Sequence, residues 1–229
     1  MPFMCHQKWR ASTYETHAPD QDSIDLKRFS GSSNISAGEP VFASAGGTVV
    51  EAHGTNAESP PYGSVVTIDH GDGWKTQYVH LDDSLSVKKD DKVVRGQKIG
   101  SVGGQIEIFG TKNAHLHYVQ LKNGNAVRVT FNGVAIGVHA GAKKPDGSYP
   151  TENLISANCP TGITAKSDGE KEASATCKEG AGVRARVTCV LPHTGAVSTK
   201  RGPWVGAKAT SKAKCSGGQV ATSAGYEIS

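Results

Sequence analysis

Glycine and tight-turn dipeptides divide this chain before any helix can establish a period. Glycine supplies 28 of the 229 residues, and the runs between glycines are short and rich in β-branched and aromatic side chains. Pro40-Val41-Phe42-Ala43-Ser44 leads through Gly46-Gly47 to Thr48-Val49-Val50-Glu51-Ala52. Gly63 to His70 and Trp74 to His80 flank Gly71-Asp72-Gly73. A strand, an Asp-Gly turn and a second strand form a strong hairpin signal, because the turn needs two positive φ angles. Ser86–Val94 and Arg95–Gly100 read as a further strand-turn unit. His115–Leu121, the turn Lys122-Asn123-Gly124-Asn125 and Val127–Phe131 read as another hairpin. No segment sustains a 3.6-residue apolar period. The expected class is therefore all-β, with an antiparallel sheet core.

Residues 139–158 are rich in Ala, Gly, Lys, Pro and Ser, which suits a connection. The expected organisation is a domain at 1–140, a linker at 141–158 and a small β domain at 159–229, with β runs at Gly182–Cys189 and Gly202–Gly206. Charge divides near the same place. Residues 155–229 carry ten Lys/Arg against five Asp/Glu, whereas the preceding residues hold 15 basic and 16 acidic groups. Such a basic surface suits anionic membranes, nucleic acid or anionic wall polymers, but no nucleic-acid-binding motif is present. Cys159, Cys177, Cys189 and Cys215 lie within about 60 residues and suit two disulfides in an oxidising compartment. Without a Cys-x-x-Cys pair, a structural zinc site is the weaker alternative. Cys5 stands apart and is expected to be unpaired. Trp204 is expected in the small core. No stretch approaches the roughly 20 apolar residues of a membrane span, and the first residues lack the apolar run of a signal peptide.

Three segments carry metal chemistry: His17-Ala18-Pro19-Asp20-Gln21-Asp22-Ser23-Ile24-Asp25, Tyr78-Val79-His80-Leu81 and Ala114-His115-Leu116-His117-Tyr118. Strand side chains alternate faces, so His115 and His117 share one side and Leu116 takes the other. One imidazole can hold a metal while the other moves a proton. A catalytic zinc takes three His or carboxylate ligands and keeps one position for water. His17 and Asp25 can complete that set. Asp25, between Ile24 and Leu26, suits a carboxylate held at a strand edge. Asp20 and Asp22 are its rivals on a proline-containing loop.

Together these residues resemble the lysostaphin-like zinc metalloendopeptidases, particularly the β-lytic branch. The resemblance spans about residues 3–125. It runs from His17 and Ile24-Asp25 through Gly38-Glu39-Pro40-Val41 and Gly47-Thr48-Val49. It continues with Tyr62-Gly63-Ser64-Val65-Val66-Thr67-Ile68-Asp69-His70-Gly71, Tyr78-Val79-His80-Leu81 and Val94-Arg95-Gly96-Gln97-Lys98-Ile99-Gly100, and closes on His115-Leu116-His117. The opening Pro2-Phe3-Met4-Cys5 and Gln7-Lys8-Trp9 is similar to secreted actinobacterial members. The resemblance implies an antiparallel β core with an open groove, and cleavage of peptide bonds in peptidoglycan stems or cross-bridges. It matches His17, Asp25 and His117 to zinc ligands, His115 to the general base and His80 to a second catalytic histidine. Tyr14 and Tyr62 are candidates for an added transition-state donor or for groove lining. Two features depart from the family pattern. Gln21 occupies the position, four residues after the first histidine, where many members carry the acid. The loop 103–113 lacks the usual Thr-Gly-Pro run.

The implied protein is a monomeric, secreted, zinc-dependent peptidoglycan hydrolase. Its C-terminal part is a candidate for binding anionic wall polymers, with no nucleic-acid partner. The competing expectations are a catalytically inactive member that binds wall or activates another hydrolase, and an unrelated secreted binding protein.

Overall fold

A computed structural model describes residues 1–15, 17, 22–54, 63–104, 107–108, 111–139, 141–168 and 171–229. They form two compact units. One comprises Lys8–Val93 and Lys98–Ile155 together with Met1. The other comprises Pro2–Gln7, Val94–Gln97 and Ser156–Ser229. Every element among the described residues is a strand, and every strand pairing is antiparallel except an isolated bridge at Gln97.

The first unit is built on a nine-stranded sheet. Its strands are β1 (Lys8–Ser12), β2 (Ile24–Lys27), β3 (Gly47–His53), β4 (Ser64–Gly71), β5 (Trp74–Leu81), β6 (Lys92–Val93), β7 (Leu116–Lys122), β8 (Asn125–Val127) and β9 (Thr151–Ile155). The spatial order is β9-β1-β2-β7-β5-β4-β3-β6, with β8 added to β7. The β4–β5 hairpin turns where the sequence predicts it: Asp72 and Gly73 take φ of 50° and 74°, the two positive angles this tight connection requires. Within the segment expected as a linker, Thr151–Ile155 is an edge strand pairing all five residues with β1. Its alternating exposure is that of an edge strand with one covered face, a pattern masked by the polar composition around it. The Lys-rich segment gives only the short β6 and the strand Lys98–Ser101, which pairs with Pro40–Phe42.

Alternation fixes the two faces at the sheet centre. Ile24 and Leu26 of β2 sit opposite Tyr118 and Leu116 of β7, and all four are fully buried. Burying each such side chain stabilises by about 1.5–3 kcal/mol. Tyr78 and Tyr118 lie opposite each other across β5 and β7. Their hydroxyls converge on the Ser44 hydroxyl at 2.8 and 3.0 Å, and burial raises both phenols above their ordinary value. This apolar and tyrosine layer is the floor beneath the opposite, histidine-bearing face.

The second unit packs two sheets around a core of small residues. One sheet comprises β10 (Thr164–Asp168), β11 (Glu172–Thr176) and β15 (Thr210–Lys214). In the other, β12 (Ala181–Val190) pairs with β13 (Val197–Arg201), β14 (Val205–Gly206) and β16 (Val220–Ile228). Ala173, Ala175, Val183, Ala185, Val187 and Ala213 fill the space between them. Alanine and valine bury little area each, so a covalent staple suits such a core.

The cysteine pairing corrects the sequence expectation. Cys189–Cys215 is one bridge, but the other joins Cys5 to Cys159, and Cys177 is the buried free thiol. The reason lies in the backbone. Residues 2–7 belong to the second unit, where Cys5 N–H donates to the Ala181 carbonyl at 3.0 Å and His6 N–H to Ser156 at 2.8 Å. Cysteine spacing within the last third cannot register that return. Burial raises the Cys177 thiol, which further suppresses thiolate. Alkylation is therefore expected to be negligible on the folded protein and to reach one equivalent, mapped to Cys177, after denaturation without reductant. Two or more reactive thiols by mass spectrometry would refute this pairing.

Candidate metal centre

Strand register assembles the site. Asp25 lies directly opposite His117 across β2 and β7, and opposite Ser12 across β1 and β2. It is thus held inside the sheet, not at the strand edge expected from its apolar neighbours. The same register explains the apolar–acid–apolar pattern: Ile24 and Leu26 enter the floor while Asp25 faces the other way. His115 immediately precedes β7 and shares the His117 side, as the His-x-His spacing predicts. His17, Asp25, His80, His115 and His117 are all buried.

One carboxylate oxygen is the focus. Asp25 Oδ1 lies 3.0 Å from His17 Nε2, 3.3 Å from His115 Nε2 and 3.3 Å from His117 Nδ1. The far nitrogens of two of these rings have fixed roles. His17 Nδ1 faces the Ser23 carbonyl at 3.1 Å, with the Thr13 hydroxyl at 3.0 Å. His115 Nδ1 faces the Asn113 carbonyl at 2.6 Å. A nitrogen bonded to a carbonyl must carry the proton, so in each neutral ring Nε2 bears a lone pair. Both lone pairs then point at an anionic oxygen. His117 Nε2 is buried with no hydrogen-bond partner among the described residues.

This arrangement calls for a cation. Three imidazolium rings around one carboxylate would leave two net charges in a buried space, at about several kcal/mol of desolvation per ion. Burial foremost, then the charges of His17 and His115, hold His117 below the ordinary imidazole value despite Asp25. Its neutral form is therefore favoured. Burial foremost would raise Asp25, yet hydrogen bonds that the His115, His117 and His17 rings donate when protonated, with the His115 charge, hold its carboxyl well below the usual carboxylate range. Neutral His17 and His115 have no Nε2 proton to give. A divalent ion answers the lone pairs and the carboxylate together. Ligand atoms of His17, Asp25 and His117 all lie within 4.8 Å of one another, and two nitrogens with one oxygen form a donor set suited to zinc.

Other expected residues are placed as follows. Tyr14 is half-exposed, with its ring 4.5 Å from that of His17; partial burial and then the Asp25 charge raise its phenol. Tyr62 and Asp20 lie outside the described residues. Asp22 is described but does not join the cluster. His80 packs edge-on against His115 and His117, with centroids at 4.6 and 5.8 Å. It sits at φ 68°, a conformation costing a non-glycine residue about 1–3 kcal/mol and concentrated at functional sites. The Gly103 N–H donates to the His80 carbonyl at 2.8 Å. Gly63 approaches so closely that an added Cβ would stand 3.2 Å from the His80 Cα. Sequence reading missed this strained backbone and the Thr13, Ser23 and Asn113 groups that orient the rings. Gly63 and Gly103 were the available signal.

Comparison with known proteins covers part of this site. The profile described as Peptidase family M23 matches residues 31–129. That stretch includes His80, His115 and His117, while His17 and Asp25 precede it. The peptidoglycan DD-endopeptidase ShyA of Vibrio cholerae serotype O1 is 40% identical over 90 residues, 39% of this chain and 19% of that protein. The chain thus spans about a fifth of ShyA. Lipoprotein NlpD of Yersinia enterocolitica is 37% identical over 92 residues, 40% of this chain and 87% of that protein. Among solved structures, a chain of the SpoIIQ–SpoIIIAH pore-forming complex is 32% identical, covers 51% of this chain and 67% of that one, and has a TM-score of 0.40. The 37% identity, sustained over 87% of the Yersinia protein, places the chain in peptidase family M23, the lysostaphin-like group.

Proposed function

We propose that this protein is a zinc-dependent endopeptidase that hydrolyses peptide bonds in the stems or cross-bridges of bacterial peptidoglycan. The observation that carries the reading is the convergence of three imidazoles on one buried carboxylate oxygen, two of them with lone pairs fixed inward. Membership of peptidase family M23 supports the substrate class. His17, Asp25 and His117 would hold zinc. When bound, zinc supplies an activated water near neutral pH and polarises a carbonyl.

The remaining chemistry belongs to side chains. His115 takes a proton at Nε2 while its Nδ1–H stays anchored on the Asn113 carbonyl, and an imidazole is well matched to that transfer near pH 7. It then returns the proton to the leaving amine. His80, packed on His115 and His117, is positioned to donate toward the developing oxyanion. Tyr14, beside His17, and Tyr62 are further donors or groove-lining groups. The two disulfides fit an extracytoplasmic location, and the proposed working place is outside the cell or in its wall. No helix among the described residues is long and apolar enough to cross a membrane.

The purified protein is expected to contain about one zinc per chain. Chelation should abolish lysis of purified walls and added zinc should restore it. Zinc without lysis on any of several wall types, differing in cross-bridge, would favour an inactive wall-binding member. Absence of zinc would overturn the reading.

A further inference from the structure

The outer face of the β12 sheet breaks a rule of strand pairing. Arg186 of β12 lies directly opposite Arg201 of β13 on one side and Gly225 of β16 on the other. Like charges directly opposite in an antiparallel pair are destabilising. One carboxylate relieves part of the repulsion. Glu227 accepts from Arg184 Nε at 2.8 Å and Nη2 at 2.6 Å, and from Arg201 Nε at 2.9 Å. Arg184 also stacks 4.1 Å from the Trp204 ring centroid. Trp204 is therefore a half-buried platform for a guanidinium rather than the core residue expected from sequence. Arg186 has neither kind of partner among the described residues. Its Nη2 stands 3.8 Å from where a Cβ on Gly225 would lie, so the exposed guanidinium crosses a strand that carries no covering side chain.

Three guanidinium groups and one carboxylate leave this face with two net positive charges. Glu227 answers Arg201 in part, but among the described residues no carboxylate is paired with Arg186. A local rule broken without an internal gain is the pattern of a binding surface. The next cross-strand row on the same face is Thr199, Thr188 and Ser223, with Ser223 Oγ donating to Thr188 Oγ1 at 2.9 Å. Planar guanidinium forks recognise phosphate oxygens two at a time, and a row of hydroxyls beside them suits a polyol. Trp204 is already covered by Arg184, and Tyr226 lies opposite Ala185 on the other register. The face thus lacks the free aromatic platforms on which nucleic-acid bases stack.

We infer that the outer face of the β13–β12–β16 sheet, centred on Arg186 and Arg201, binds a phosphodiester-linked polyol chain of the bacterial wall. This rests on the wall-acting reading above and adds a second site to it, with its own ligand chemistry. Each arginine–phosphate contact is charge-assisted, so loss of one is read as about a tenfold change in affinity.

The test is co-sedimentation of the full chain carrying His115→Ala, to keep the wall intact, with purified walls before and after hydrofluoric acid removes their phosphodiester polymers. Stripping is expected to weaken binding about tenfold. Adding Arg186→Ala should weaken binding to native walls by a similar factor, with little further loss on stripped walls. Arg186→Lys, which keeps the charge but loses the fork, should fall between. In the otherwise unaltered protein, Arg186→Ala should leave lysis of stripped walls unchanged and the melting temperature equal or higher, because a like-charge pair is removed. Native-wall binding unaffected by stripping or by Arg186→Ala would overturn the inference. So would a melting temperature lowered by several degrees, or tighter binding to single-stranded DNA than to the polymer. Sedimentation needs no catalysis, so failure here and failure of the endopeptidase reading are separate results.

Discussion

Replacing His115 with alanine is expected to lower wall lysis by about 10²- to 10⁴-fold, the range typical of losing a positioned general base, while about one zinc per chain remains. The two halves of that result test different things. His115 Nε2 and His117 Nδ1 are both 3.3 Å from Asp25 Oδ1, so distance to the carboxylate does not divide their roles. The division comes from their surroundings. His117 is paired in register with Asp25 inside the sheet and keeps a second buried nitrogen without a partner among the described residues. His115 precedes the strand, anchored at Nδ1 by the Asn113 carbonyl and packed edge-on against His80. His17 is anchored in the same way, but it joins Asp25 and His117 in the cluster whose ligand atoms lie within 4.8 Å of one another and His115 does not, which fits the proposed role of His115 as proton carrier. Truncation also strips a partner from the Asn113 carbonyl, which costs about 1–3 kcal/mol of stability if no water replaces it. Lysis should therefore be compared at a temperature where circular dichroism shows the variant folded. Loss of zinc together with lysis would make His115 a ligand, and the proton would need another carrier.

How much of this was legible in the sequence depends on how local each feature is. The Asp72-Gly73 turn and the shared face of His115 and His117 follow from neighbouring residues and the two-residue period of a strand. The pairing of Asp25 with His117 spans 92 positions, so the alternation of Ile24, Asp25 and Leu26 could suggest burial but not the partner. Cys5 meets Cys159 across 154 positions because the N-terminal segment belongs to the C-terminal unit, and composition carries no trace of that. The positive φ of His80 arises from close approach by Gly63 and from the Gly103 hydrogen bond, both contributed by other segments. Strand β9 was hidden for a different reason: an edge strand covered on one face can be written largely in polar residues. Trp204 was misjudged because its packing partner is a guanidinium, which hydropathy counts as surface.

The variant Asp25→Asn should lose zinc without losing the fold. Dividing the roughly 10–16 kcal/mol that a four-ligand zinc site can draw evenly among its ligands assigns about 2.5–4 kcal/mol to each, so affinity should fall by about 10²- to 10³-fold. Lysis at limiting zinc should fall with it. The metal-free fold should respond in the opposite sense. In the native sequence the anionic Oδ1 faces inward lone pairs on His17 and His115 at 3.0 and 3.3 Å. An asparagine amide can turn its NH₂ toward those nitrogens and donate to them, replacing repulsion with hydrogen bonds. The chelated variant should therefore melt at or above the chelated parent. Zinc present at a hundred times its Kd stabilises the parent by about 2.7 kcal/mol, a rise of about 5–10 °C for a unit of this size. The variant should show almost none of that rise at the same concentration. Calorimetry of both proteins, with and without chelator, reads the two signs in one experiment. A chelated variant melting well below the chelated parent would make Asp25 chiefly a structural acid for its three imidazoles, and a full zinc-dependent rise in the variant would remove it from the ligand set.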